Sequence, residues 1–276
     1  MAEELVPDRP APLARRAAVL GSPIAHSLSP ALHRAAYAGL GLHWSYDAID
    51  VDRAALPGFL AGLDDTWAGL SLTMPLKECV LDLLSEVDPA AERVGAVNTV
   101  LPGRHGWRGT NTDISGIARA LEEAGLHAAP TTATVVGGGA TARSAIAALA
   151  ALEVSSVTVC ARRIEAAESV AALASSFGLS GAATDTGPDE RLISADIVIS
   201  TLPGDAARPW AALAPVARGA LLDASYHPWP SVLADHWGSS VIASGRDMLL
   251  WQAVEQVRLM TGLEPPVDLM RAALPA

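Results

Sequence analysis

A single lysine, Lys77, stands among 19 basic residues and closes the run Ser71-Leu72-Thr73-Met74-Pro75-Leu76-Lys77. Pro75 marks a turn into a helix, so Lys77 falls in a first helical turn. A cation is electrostatically unfavourable there, and partial burial would favour its neutral form. A lysine so placed serves stability poorly and proton transfer well; a solvated surface lysine is the plainer alternative. Two clusters, Asn98-Thr99 and Asn111-Thr112-Asp113, supply amides, hydroxyls and a carboxylate. Asp113 alone reads as a helix cap, whereas Asp113 beside Lys77 would be an acid–base pair. Ser27-Leu28-Ser29-Pro30 places two hydroxyls at another helix start. Ser29 is expected to be the N-cap and Ser27 to have no capping duty. The free N–H groups of that turn attract a carboxylate or phosphate.

A different chemistry lies in Gly137-Gly138-Gly139-Ala140-Thr141-Ala142, directly after the apolar run Ala133–Val136. The pattern is G-x-G-x-x-A between a strand and a helix. Gly137 permits the tight turn, Gly139 lets the backbone approach a pyrophosphate, and Ala142 lets the helix pack on the strand. The next strand, Val157–Cys160, has no acid at its tip and is followed by Ala161-Arg162-Arg163. An acid there would hold a ribose 2′-hydroxyl, whereas arginine suits a 2′-phosphate. NADP is therefore preferred over NAD, and Arg143 in the glycine-loop helix is a candidate for added positive charge.

Other chemistries find no support. The seven histidines are scattered, without H-E-x-x-H or Cys/His spacing, so no metal site is expected. No G-x-S-x-G elbow occurs. Cys79 and Cys160 sit in apolar surroundings and are read as core residues, not nucleophiles; two cysteines make no disulfide framework, which fits a reduced, cytoplasmic setting. Thirty acidic residues give a net charge of −11, against a nucleic-acid partner. No apolar run reaches bilayer length, so no membrane span is expected. Met1 to Arg16, with three prolines and no apolar stretch, is read as a tail and not a signal peptide.

These residues need a scaffold, and short apolar runs alternating with helical patterns indicate βαβ units. In the first part, strands are expected at Ala17–Leu20, Tyr46–Val51 and Gly69–Thr73. Helices follow from Ser29 to Leu40, over Leu56–Leu63 and from Leu76 to Leu84, with Asp88 capping another. Ala96–Leu101 and Trp107–Asn111 form a hairpin about Gly103–Gly106. Further on come a helix ending at Gly125, an Ala-rich helix from the glycine turn to Leu152, and a helix over Ile164–Phe177. Strands are expected at Ala195–Thr201, Ala220–Asp223 and Val241–Ala243, and closing helices at 247–260 and 267–274. The expected fold class is α/β with two domains. An N-terminal α/β domain, 1–112, is followed by a Rossmann-like doubly wound domain, 113–246. The residues alone leave the closing helices, 247–276, unassigned to either.

Six motifs in order resemble the shikimate dehydrogenase family: Gly21–Pro30, Ser71–Lys77, Gly95–Thr99, Gly109–Asp113, Asp223–Pro228 and Gly245–Ala253. The resemblance implies NADPH-dependent reduction of 3-dehydroshikimate to shikimate, on the route to chorismate and the aromatic amino acids. It implies Lys77 and Asp113 as the catalytic pair, and Ser27 and Ser29 on the substrate carboxylate with Tyr226 nearby. Thr73, Asn98, Asp113 and Gln252 would hold the ring hydroxyls. Gly137, Gly138, Gly139, Ala140, Thr141, Ala161, Arg162, Arg163, Thr201 and Gly245 would bind the cofactor. The last helices would return to the substrate domain, and a homodimer is compatible with the family. Two departures stand out. The family's Gly-Ala-Gly-Gly-Ala is here Gly137-Gly138-Gly139-Ala140-Thr141, and its Asn-Arg-Thr is Ala161-Arg162-Arg163. The alternatives are an NAD-dependent quinate/shikimate dehydrogenase, against which Ser29 weighs because quinate-accepting relatives can carry Thr there, and a nucleotide-sensing relative without chemistry.

Overall fold

The computed structural model describes residues 14–126 and 129–275. The first strands and helices are β1 (Arg16–Gly21), α1 (Ser29–Gly39), β2 (Ser45–Asp50), α2 (Leu56–Ala61), β3 (Trp67–Leu72) and α3 (Leu76–Cys79). They are followed by β4 (Glu86–Val87), α4 (Pro89–Val94), β5 (Thr99–Gly103), β6 (Gly106–Thr110) and α5 (Asp113–Glu123). The second half begins with β7 (Thr132–Val136), α6 (Ala140–Ala151), β8 (Ser156–Cys160), α7 (Ile164–Ala171), α8 (Leu173–Ser176), β9 (Ser180–Thr184), α9 (Glu190–Ile193) and β10 (Ile197–Ser200). It closes with α10 (Arg208–Ala211), β11 (Ala220–Asp223), α11 (Val232–Asp235), β12 (Ile242–Ser244), α12 (Gly245–Thr261) and α13 (Val267–Ala272).

The described strands form two six-stranded sheets, so the fold is α/β with two domains. The first sheet runs β2-β1-β3-β5-β6-β4. Its β1–β2 and β1–β3 pairs are parallel, and β5–β6 is an antiparallel hairpin. The second runs β12-β11-β10-β7-β8-β9, parallel throughout. Its order reverses between β7 and β10, so a crevice opens at the ends of those strands, where a doubly wound sheet binds its ligand. Val135, Val159, Ile197, Ile199 and Leu222 fill one face of this sheet together with the apolar side of α6 and with Ile117 and Leu121 of α5.

The closing helices pack on the first sheet. Leu250, Ala253, Val254, Val257 and Met260 of α12 and Met270 of α13 share a core with Ala17, Val19, Leu32 and Tyr37. Across its other side α12 lies against α5. A Cβ on Gly116 would come 2.9 Å from Gln252 Cβ, so only a glycine allows that approach. No helix of the described residues is long and apolar enough to cross a membrane.

Several local expectations need correction. Of the expected tail, residues 1–13 lie outside the described residues, but Arg16 begins β1 and Arg15 O accepts from Ser45 N–H at 3.0 Å. Helix α1 has Leu28, not Ser29, at its N-cap position, without a side-chain cap. Ser27 does have a local duty, because its Oγ accepts from Ser29 N–H at 3.3 Å. The Leu76–Leu84 helix gives way after Cys79 to a tighter turn, in which Leu83 and Leu84 donate to carbonyls three residues back. A four-residue helix has little dipole, so that argument about Lys77 loses force. The Ile164–Phe177 helix is interrupted at Ala172 alone. Strands β4 and β9 carry no apolar pattern; β9 is an edge strand of small and polar residues, largely exposed.

Candidate active site

Lys77 and Asp113 come from different elements, α3 and the first turn of α5. Lys77 Nζ donates to Asp113 Oδ2 at 2.5 Å, with side-chain exposures of 16% and 5%. This pair is held by a buried polar lattice. Asn98, just before β5, donates through Nδ2 to Asp113 Oδ1 at 2.8 Å and accepts through Oδ1 from Thr112 N–H at 2.8 Å. Thr99 Oγ1 donates to Asn98 Oδ1 at 2.8 Å, and Asn111 Oδ1 accepts from Asp113 N–H at 3.0 Å. Asp113 therefore does not cap its helix; both carboxylate oxygens are committed to side chains across the site. The hairpin brings the clusters together, since Thr99 pairs with Thr110.

Around the pair lies a cavity of about 260 Å³. Ser27, Ser29, Thr73, Asn98, Tyr226 and Gln252 all line it, so the residues expected on the substrate side share one chamber. Gly245 lines this chamber too, and not the glycine-turn cleft. Two further residues of its wall, Ser71 and Gln256, were not foreseen, and Tyr46 stands behind Ser71. Tyr46 Oη donates to Ser71 Oγ at 2.6 Å, and Ser71 Oγ to Gln256 Oε1 at 2.8 Å. Gln256 Nε2 reaches Thr99 Oγ1 at 3.0 Å, which closes the chain back to Asn98. Gln256 follows Gln252 by one helical turn, on the same face of α12. Two glutamines four residues apart were the only available signal.

Two buried groups support the chamber from behind. His33 is fully buried and stacks on Tyr46 with ring centroids 3.9 Å apart. Its Nδ1 lies 3.0 Å from Ser29 O, so the neutral ring donates there, and burial lowers its pKa to about 4. Asp223, also fully buried, accepts from Ser231 Oγ at 2.5 Å and from Ser225 N–H at 3.2 Å. It ties both ends of the loop that carries Tyr226, and burial pushes its carboxyl above the usual range.

The second cavity, about 870 Å³, runs along the end of the second sheet. Gly137, Gly138, Gly139, Ala140, Thr141, Ala161, Arg162, Arg163 and Thr201 line it. Gly137 has φ +127°, and a Cβ there would strike Thr201 Oγ1. A Cβ on Gly139 would meet nothing within 4 Å, so backbone faces open cleft. The α6 N-terminus has no side-chain cap, which leaves its first N–H groups free for an anion. Ala142 is fully buried. These features fit a dinucleotide pyrophosphate.

Arg143 is a correction. It does not line the cleft but pairs with Glu78 of α3, joining the two domains. Asn111 Nδ2 adds a second link to Ser144 Oγ at 3.0 Å. Cys79 and Cys160 are free thiols, both raised by burial, which suits inert thiols. Thr73, Lys77 and Thr141 line both cavities, so chamber and cleft meet at the lysine.

A dinucleotide cradle opening onto a small polar chamber defines a two-domain nucleotide-dependent oxidoreductase. The model for the shikimate dehydrogenase substrate binding domain matches residues 19–100, and that for the shikimate 5'-dehydrogenase C-terminal domain matches residues 245–274. The NADP(+) shikimate dehydrogenase of Thermus thermophilus is 38% identical, over 94% of this chain and 97% of that protein. The crystal structure of a shikimate 5-dehydrogenase from Mycobacterium fortuitum superposes with a TM-score of 0.85 at 42% identity, covering 96% of this chain and 99% of that one. The Thermus thermophilus enzyme in complex with NADP(H) and shikimate superposes at 0.82 and 36% identity, covering 94% and 98%. The chain belongs to the shikimate dehydrogenase family.

Proposed function

We propose that the protein catalyses the reversible, NADPH-dependent reduction of 3-dehydroshikimate to shikimate, in the biosynthesis of chorismate and aromatic amino acids. The observation that carries this reading is Lys77, which lines the chamber and the cleft at once while bound to Asp113 at 2.5 Å. An acid at that junction is where a carbonyl under reduction needs its proton.

The substrate carboxylate is assigned to Ser27 and Ser29, with Tyr226 beside them. The α1 N-terminus favours negative charge there. Thr73, Asn98, Asp113 and Gln252 are assigned to the ring hydroxyls, which can donate to and accept from their hydroxyl, amide and carboxylate groups. The turn Gly137–Thr141 would hold NADPH, which when bound would supply hydride to the carbonyl carbon. As the C=O electron pair moves onto oxygen, the Lys77 ammonium donates its proton there and becomes a neutral amine. Asp113 holds the ammonium and orients it; in the reverse direction Lys77 takes the proton back. Arg162 and Arg163 are assigned to the 2′-phosphate, where the planar guanidinium forms paired hydrogen bonds.

The domain division belongs to the same proposal. Residues 1–112 with 247–276 hold the acid, and 113–246 hold the nucleotide. A cytoplasmic location and a homodimer complete the reading; the free cysteines favour the first. Steady-state rates for shikimate and quinate with NADP+ and NAD+ test it. The highest kcat/KM is expected for shikimate with NADP+. Turnover of quinate with NAD+ alone would overturn it.

A further inference from the structure

The cofactor cleft carries positive charge from both of its walls. Arg162 and Arg163 follow β8 on the second domain, but Arg53 lines the same cleft from the first, in the turn between β2 and α2. That turn is firmly set. Val51 is buried with its N–H on Gly21 O at 3.0 Å, and Asp52 Oδ1 accepts from Ala55 N–H at 2.9 Å. The Arg53 side chain is exposed yet has no carboxylate partner among the described residues, and neither have Arg162 and Arg163. Arg15, Arg16, Arg93, Arg104, Arg108, Arg218 and Arg246 also lack a carboxylate partner among the described residues; what sets Arg53, Arg162 and Arg163 apart is that all three line one cavity. In a protein of net charge −11, three arginines converging on one cleft from two domains constitute a local anion site, with Asp185 and Glu78, the latter paired with Arg143, as the opposing charges of its lining. Guanidinium groups match phosphate oxygens in geometry and charge.

We propose that Arg53 is a phosphate ligand for the dinucleotide, reaching across the cleft so that one bound cofactor is held by both domains. The proposal rests on the cofactor reading above and extends it to a residue outside the glycine turn and the β8 arginines. The shared chemistry is a phosphate, either the pyrophosphate or the 2′-phosphate, and paired titrations separate the two.

The test is equilibrium binding of NADP+ and NAD+, followed by calorimetry, to the wild-type protein and to R53A, R53K and R104A. Arg104 is a surface arginine in the β5–β6 turn and serves as the control. Loss of one charge-assisted contact weakens binding by about tenfold or more. R53A is expected to show that loss, R53K to recover part of it, and R104A to match wild type. A loss for NADP+ alone assigns the 2′-phosphate; an equal loss for both nucleotides assigns the pyrophosphate. If R53A binds both within about twofold of wild type, Arg53 is not a ligand, although the cofactor reading stands. If wild type itself binds neither nucleotide, the cofactor reading fails and this inference with it.

Discussion

Chamber and cleft are built by opposite means. The chamber draws its polar groups from stretches scattered between Ser27 and Gln256, and they hydrogen-bond to one another without a ligand: Asn98 to Asp113, Thr99 to Asn98, Gln256 to Thr99. The cleft centres on one contiguous turn, Gly137–Thr141, which offers bare backbone, and its walls add arginines free of acid partners. A preformed lattice fixes the position of a reacting group to within the tolerance that proton transfer requires. An open backbone cradle with charge on its walls suits a long, flexible anion. Chemistry therefore belongs to the locked region and affinity to the open one, and perturbations should divide accordingly.

The sharpest break is Lys77→Ala, which should lower kcat by about 10²–10⁴-fold with little change in the Kd for NADP+. Steady-state rates and nucleotide titration on the same preparation check it. Next comes the ground beneath the chamber. His33 is neutral when folded, with its pKa lowered by burial from 6.5 to about 4. The unfolded chain binds the extra proton in that window, so this stability is complete above about 6.5 and is lost as pH falls toward 4. The full loss is about 3 kcal/mol. Urea unfolding between pH 7 and pH 4.5 should be steeper in pH for wild type than for His33→Phe.

On the cleft side, Arg162→Ala should weaken NADP+ binding by about 10–100-fold, leave NAD+ unaffected, and spare kcat at saturating cofactor. A fall in kcat with unchanged affinity would erase the division between the two regions. The smallest effect is expected at the domain seam. Glu78→Gln removes the partner of Arg143, and because Glu78 is 47% exposed the loss of stability should stay below about 1 kcal/mol. Thermal unfolding measures it.

The same contrast decides what the sequence made legible. The nucleotide turn is contiguous, so strand, glycines and helix could be read together, and φ +127° at Gly137 bears the turn out. Lys77 and Asp113 are 36 residues apart, and no local spacing requires their contact; their residue types suggested a pair and the ordered motifs assigned it. Gln256 escaped notice because a buried glutamine resembles a surface one until its helix face is known. Arg143 was misread because Glu78, its partner, lies on another domain. The edge strand β9 carries no apolar alternation because most of it is exposed, so composition gave no cue.

A crystal structure of the protein with shikimate and NADP+ tests the central claim most directly. The account predicts Lys77 Nζ hydrogen-bonded to the ring oxygen that is oxidised, with the nicotinamide C4 near-attack, about 3–3.5 Å, from the carbon bearing it. A ring seated with its carboxylate on Lys77, or a nicotinamide lying away from the Thr73–Thr141 junction, would contradict it.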